Sequence, residues 1–362
     1  MFTVSLCMIV RNEEQTLGRC LSTVHDLVDE IIVVDTGSDD RTKEIARSFG
    51  AKLFDFPWID DFAAARNFSF SKASKDYIFW LDADDVLEEA DRERFQTLRS
   101  MEPFDYDYVS MPYHLAFDDR GMPVKYLRRN RLVKRQRQFV WQGVVHEYME
   151  VAGKALHSDI AVTHRKEKPY TDRNLQIYLK RKERQEPFSP RDQYYFANEL
   201  YDHGRLEEAA KQYQLFLDGG LGWVEDQIMA CYKQADCYAR LKQPEKQIQA
   251  LVRTLAFDAP RAEFCCKLGA FFLEKKDFPK AIYWFRQATL LERPQNMMGL
   301  VDEAAWSWLP HLQLCYCYDQ IGEYRRAKIH HEMSKLYHPT HPSVLHNERY
   351  FASREEAQSL EG

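Results

Sequence analysis

The sequence is poor in the features that would assign it most quickly. Its 362 residues contain no run of about 18 apolar positions, so no membrane span is expected. None of its eight cysteines (7, 20, 231, 237, 265, 266, 315 and 317) stands in a Cys-x-x-Cys pair. A chain this long needs no disulfide staples, so reduced, mostly buried thiols in a cytoplasmic protein are expected. The start of the chain has neither a basic leader nor a small-residue cleavage site, and it reads as a strand, not a signal peptide. An excess of positive charge is missing too. The 56 acidic and 50 basic residues leave a net charge of −6, which argues against a nucleic-acid or anionic-membrane surface as the main partner.

What is abundant is length and aromatic side chains. At about 150 residues per domain the chain has room for two domains, or for one domain and a repeat array. Apolar residues make up 45% of it, a globular mixture with material for a core. Phe, Tyr and Trp together reach 14%, and many of them fall at helix-packing positions of the second half.

Up to about residue 165 the pattern alternates. Apolar or β-branched runs at Val4–Val10, Glu30–Asp35, Ala51–Phe56 and Tyr77–Leu81 read as strands. Helical spacing separates them at Glu13–Val28, Asp40–Phe49, Phe62–Ala73 and Glu88–Arg99. Such alternation predicts a mostly parallel sheet covered on both faces, with ligands beyond the carboxyl ends of its strands.

After about residue 190 helical hairpins take over. Ala197 and Ala209 are twelve apart, as are Ala235 and Gln247, Gly269 and Ala281, and Cys315 and Ala327. Large apolar residues such as Phe196, Phe272 and Phe285 surround them. Gly204, Lys242-Gln243, Lys276-Asp277 and Gly322 fill the turns, and Pro260, Pro294 and Pro339 close the second helices. This pattern resembles the tetratricopeptide repeat over roughly 190–340, with a departure at Gln247 and an insertion around Arg293–Asp302. Stacked hairpins of that kind make a concave surface suited to peptide.

Three segments carry chemistry. Phe79-Trp80-Leu81-Asp82-Ala83-Asp84-Asp85 delivers carboxylates to the end of a buried strand. If the backbone stays extended, Asp82 and Asp84 point the same way and can share a cation. Helix capping would explain one of these acids but not three. Asp35, at the end of its strand and followed by Thr36-Gly37-Ser38, leaves room for a nucleotide base or ribose. Arg11-Asn12-Glu13-Glu14 follows the first strand directly, as functional residues or as the polar opening of a helix.

Together these pieces resemble the family 2 glycosyltransferases of the GT-A fold. The matching segments are Ser5–Glu14, Asp35–Thr42, Ala65-Arg66-Asn67 and Leu81–Asp85. Trp58–Asn67 and Trp141-Gln142-Gly143-Val144-Val145-His146-Glu147 look like the bacterial subgroup that couples such a domain to C-terminal tetratricopeptide-like helices, to which the peptide S-glycosyltransferases of sublancin-type bacteriocins belong. The resemblance implies an α/β GT-A domain at 1–165, a helical linker at 166–189, an all-α repeat domain at 190–340 and a tail or cap at 341–362.

It also implies roles. Asp84 would hold a divalent ion, with Asp82 touching the ion or the ribose and sugar hydroxyls and His146 as a third ligand. An imidazole beside carboxylates suits Mn²⁺ better than Mg²⁺. Asp35, assisted by Val10, Asn12, Glu13 and Arg66, would hold the uracil or ribose, although Thr36 stands where the family has a second acid. Seven of the thirteen residues from Lys125 to Arg137 are basic, and Arg131 and Lys134 match the family's diphosphate positions. Glu147 is the expected base, with Asp118 and Asp119 as alternatives.

The sequence is therefore read as a cytoplasmic, metal-dependent, inverting transferase. Its donor is a nucleotide-diphosphate sugar, UDP-linked, and its acceptor a Cys or Ser/Thr side chain of a peptide or protein held by the helical repeats. The alternatives are a saccharide or lipid-linked glycan acceptor, or a non-catalytic scaffold with a degenerate GT-A domain. The edges of the array leave room for the Ser343–Gly362 tail or for a second copy in a homodimer.

Overall fold

The computed structural model describes residues 1–167, 171–293 and 299–361, apart from the side chains of 355–361. The chain divides into two compact units. One is built from Met1–Ala116 and Lys125–Tyr195, the other from Phe117–Val124 and the helices after Phe196.

The first unit opens as the alternation predicts. β1 (Val4–Val10), β2 (Glu30–Asp35), β3 (Lys52–Asp55) and β4 (Tyr77–Trp80) are joined by α1 (Leu17–Ser22), α2 (Thr42–Ser48) and α3 (Phe62–Ser71). β2 and β4 flank β1 in parallel, and β3 extends the sheet beyond β2. Side chains alternate across the pleat, so β1 feeds two cores. Val4, Leu6, Met8 and Val10 join one and Cys7 the other. Ala65 of α3 is fully buried, which lets that helix lie close against the strands.

The helix expected over Glu13–Val28 is shorter. The N–H groups of Asn12, Glu13 and Glu14 donate to Ser38 Oγ, Thr42 Oγ1 and an Asp40 carboxylate oxygen. Those bonds tie the two loops after β1 and β2 together and delay the helix to Leu17.

Beyond residue 84 come β5 (Asp85–Val86), α4 (Glu89–Ser100), the long strands β6 (Tyr108–Phe117) and β7 (Pro123–Lys134), and the short strands β8 (Trp141–Gln142), β9 (Tyr148–Met149), β10 (Ala155–His157) and β11 (Val162–His164). α5 (Arg173–Glu183) follows. The sheet order is β3-β2-β1-β4-β7-β6-β11-β5. β7 runs antiparallel to β4, with Phe79 opposite Leu132 and Tyr77 opposite Lys134. The basic run thus lies largely on a strand at the centre of a mixed sheet.

The helical unit contains α7 (Leu206–Gly219), α8 (Val224–Arg240), α9 (Pro244–Arg253), α10 (Ala262–Glu274), α11 (Phe278–Leu290), α12 (Trp308–Gln320), α13 (Tyr324–Tyr337) and α14 (Pro342–Glu361), preceded by α6 (Pro190–Asp202). Ala197, Ala209, Ala235, Ala281, Cys315 and Ala327 are all buried, whereas Gln247 is half-buried. A Cβ on Gly269 would stand 2.7 Å from the Phe285 ring, so the crossing of α10 and α11 has no room for a side chain. Gly204, Lys242, Lys276 and Gly322 all adopt positive φ after a helix end, the left-handed geometry that closes a helix. Pro294 and part of the insertion lie outside the described residues. The tail forms α14, whose Phe351 packs into the helical core. All eight cysteines are free and buried.

Candidate active site

The turn after β4 decides the site. The Asp85 N–H donates to the Asp82 carbonyl at 3.1 Å, so the chain bends there and does not stay extended. Asp82 and Asp84 consequently part. Asp82 accepts from Arg66 Nη2 at 2.6 Å. Asp84 instead shares a cluster with Asp85 and His164, whose ligand atoms lie within 4.8 Å of one another. β11 brings His164 there by pairing antiparallel with β5, with His164 opposite Asp85. Its Nδ1 is 3.6 Å from Asp84 and 3.6 Å from Asp85, and it is 2.9 Å from the Tyr113 hydroxyl.

The electrostatics separate the acids. Burial opposes ionisation of Asp82, but Arg66 and Arg131 overcome it and hold the carboxyl well below its usual range. Burial raises Asp84 to about 6; His164 opposes the rise, and the neighbouring Asp82, Asp85 and Glu13 reinforce it. Burial lowers His164, yet contact with Asp85 and Asp84 wins and raises it. Asp85 Oδ2 pairs with Arg131 at 3.0 Å, while Oδ1 is buried without a hydrogen-bond partner. Two carboxylates, one with an unsatisfied buried oxygen, and an imidazole form a donor set that fits a divalent cation such as Mn²⁺.

Asp84 and His164 line a cavity of about 340 Å³. Val10, Glu13, Arg66, Asp82, His146 and Glu147 line it as well. Asn12 and Asp35 are not among its lining residues. Asn12, at φ 54°, accepts through its side chain from the Asp39 N–H. Asp35 Oδ1 accepts from the Gly37 and Ser38 N–H groups at 2.9 Å each, and its buried Oδ2 has no partner. Glu13 accepts from the Thr16 hydroxyl at 2.6 Å.

The segment Trp141–Glu147 closes one wall. Gly143 and His146 both have positive φ, which folds the segment back so that Glu147 reaches Arg66 Nε at 2.5 Å. His146 stacks on Tyr195 at 4.1 Å, and its carbonyl accepts from Arg191. It lines the cavity but is not a member of the Asp84 cluster, whose histidine among the described residues is His164.

The basic positions differ from expectation. Arg131 is fully buried between the Trp80 and Tyr113 rings, at 3.9 and 4.5 Å, and neutralises Asp85 instead of facing the cavity. Lys134 is opposite the first residue of β4, at the far end from the carboxylates, and lies 3.5 Å from Asp105. The antiparallel register puts Arg129 at the cavity instead. Asp118 and Asp119 are not at the cavity either; they occupy the β6–β7 turn, where Asp118 holds Arg120 and the Arg120 and Met122 N–H groups.

Arg129, His164, Asp85, Arg173 and Arg191 were not singled out from the sequence. Arg129 and Asp85 lay inside segments already flagged. His164, Arg173 and Arg191 carry no local motif: His164 arrives by pairing of β11 with β5, and the two arginines stand on α5 and α6.

Residues 5–179 match the model of Glycosyl transferase family 2. Over 155 residues the chain is 43% identical to the TPR repeat-containing protein Synpcc7942_0270 of Synechococcus elongatus, a match covering 41% of this chain and 36% of that protein. Over 334 residues it is 26% identical to the SPbeta prophage-derived glycosyltransferase SunS of Bacillus subtilis, covering 83% of this chain and 71% of that one. Among solved structures, the TPR protein YrrB is 16% identical with a TM-score of 0.38, covering 49% of this chain and 83% of that chain. No helix among the described residues is long and apolar enough to cross a membrane.

Proposed function

We propose that this chain, whose residues 5–179 match the model of Glycosyl transferase family 2, is such a transferase followed by tetratricopeptide-like helices and moves a sugar from a UDP-linked donor to a peptide or protein side chain with inversion. The observation that carries the reading is the Asp84–Asp85–His164 cluster at a cavity also lined by Arg11, Arg129, Arg173 and Arg191. Carboxylates and cations side by side are what a metal-bound diphosphate needs, and neither alone would serve.

Asp84, Asp85 and His164 would hold Mn²⁺, with Mg²⁺ as the substitute. Bound there, the ion would neutralise the departing diphosphate as a Lewis acid. Arg129 and Arg11 would contact the phosphate oxygens through charge-assisted hydrogen bonds. The unpartnered Oδ2 of Asp35 would accept from the base or ribose, with Val10, Asn12 and Glu13 shaping that end. Asp82 is partly exposed and keeps one oxygen off Arg66, which suits it to sugar hydroxyls. Glu147 would take the acceptor proton as the new bond forms. The helical repeats would hold the peptide carrying the Cys, Ser or Thr acceptor, in a reducing cytoplasm that keeps the eight buried thiols free.

The test is thermal stabilisation by UDP with Mn²⁺, followed by donor turnover with peptide and glycan acceptors. Wild type should be stabilised. Asp84→Ala should lose the metal-dependent part and about 10²–10³-fold in turnover. No stabilisation of either protein overturns the sugar-nucleotide reading. Turnover with glycans alone overturns the peptide acceptor.

A further inference from the structure

α3 grips the wall segment at three points. The Phe62 N–H donates to the Val144 carbonyl at 2.9 Å. Asn67 closes a two-bond ring with the Trp141 backbone, giving at 2.9 Å and accepting at 2.8 Å. Between them Arg66 reaches Glu147. The guanidinium is buried, with only 6% of the residue exposed, and its carbon sits 4.8 and 4.9 Å from the Trp80 and Trp141 rings. Those rings meet edge to face at 87°, so the plane of the guanidinium is fixed by packing before any substrate arrives. Of its donors, Nη2 is spent on Asp82 and Nε on Glu147.

We infer that Arg66 is a positioning residue and not a ligand of the donor. It pins Asp82, from the β4 end, and Glu147, from the wall segment, to one rigid plane, so that the carboxylate facing the sugar and the carboxylate facing the acceptor keep a fixed separation. The inference rests on the transferase reading above. A lysine would keep the charge but could not supply two donors at a fixed angle or fill the space between the two indoles with a planar group.

The experiment measures UDP release from UDP-glucose and UDP-N-acetylglucosamine with Mn²⁺, water being the acceptor, together with the UDP affinity from thermal shifts. Arg66→Lys is expected to lower kcat about 100-fold, the cost typical of a small misplacement, while donor KM and UDP affinity move less than about threefold. In a Glu147→Gln background the same change should cost less than about tenfold, because Arg66 acts through the group already removed. Glu147→Asp, which retracts the carboxylate by one methylene and keeps its charge, should lose kcat in the same way, and it carries the test if Arg66→Lys fails to fold. A rise in KM or loss of UDP affinity with kcat intact overturns the inference, as do additive losses in the double variant or Glu147→Asp at wild-type kcat. A wild type that is neither stabilised by UDP with Mn²⁺ nor active overturns the transferase reading itself. An active wild type with Arg66→Lys unchanged overturns only the role of Arg66.

Discussion

In the helical unit a single spacing read along the chain finds Ala197, Ala209, Ala235, Ala281, Cys315 and Ala327, and every one is buried. In the α/β unit Asp84 meets His164, eighty positions further on, and no spacing announces it. The contrast is one of range. A helical hairpin buries its small residues against its own neighbour, so local periodicity carries the information. A sheet assembles its site from strand ends, and which strand lies beside which is decided by pairing across the whole domain.

The largest effect that separates these two kinds of position should come from Arg131. Both it and Asp85 are fully buried, and the pair at 3.0 Å spans β7 and β5. Arg131→Met should leave Asp85 uncompensated and cost about 3–5 kcal/mol. Denaturant unfolding checks it. A cost below about 1 kcal/mol would mean that Arg131 is not structural, and its expected place among the donor ligands would be open again.

Next comes the Asp84–Asp85–His164 cluster, as the proposed metal site. His164→Ala should weaken Mn²⁺ binding on the order of 100-fold, since even a ligand's hydrogen-bond partner is worth about 10–100-fold. His146→Ala should change it by less than about threefold, because that ring stacks on Tyr195. Titrating Mn²⁺ against the two variants ranks them, and the reverse order restores the histidine that the sequence favoured.

These two cases show what was legible. The segments were: Asp82 and Asp84 after β4, Arg66 of α3 and Val145–Glu147 of the wall segment come to one cavity, and Asp35 closes β2. How the side chains within them sort was not. A shared cation at Asp82 and Asp84 requires an extended backbone, and the Asp85-to-Asp82 turn removes that premise. The long β6–β7 pair was not foreseen, because its polar, Arg-rich strand lacks the apolar run that marks a buried strand. Without β7 beside β4, the register that brings Arg129 and not Lys134 to the cavity could not be drawn.

A smaller effect tests the local side. Gly269→Ala would bring a Cβ to 2.7 Å from the Phe285 ring. Overpacking costs about 1–3 kcal/mol, against a gain of up to about 1 kcal/mol from replacing glycine in a helix. The net should be about 1–2 kcal/mol of destabilisation in thermal or urea unfolding. A stabilised variant would show that the crossing is looser than its spacing implies.

The smallest effect is expected at Lys134, the residue where resemblance and register disagree most plainly. It lies opposite Tyr77, three residues before the end of β4, so about 10 Å of strand separates it from that end, and the carboxylates begin two residues further on. Its one ion pair among the described residues, with Asp105, is largely exposed on the acid's side and worth about 0–1 kcal/mol. Lys134→Ala should therefore leave donor KM within about twofold of wild type, while Arg129→Ala, at the cavity, should raise it about tenfold or more, as loss of a charge-assisted contact to phosphate would. Equal losses in the two variants would mean that position within the basic run matters less than its total charge, and the antiparallel register would no longer explain which arginine serves the diphosphate.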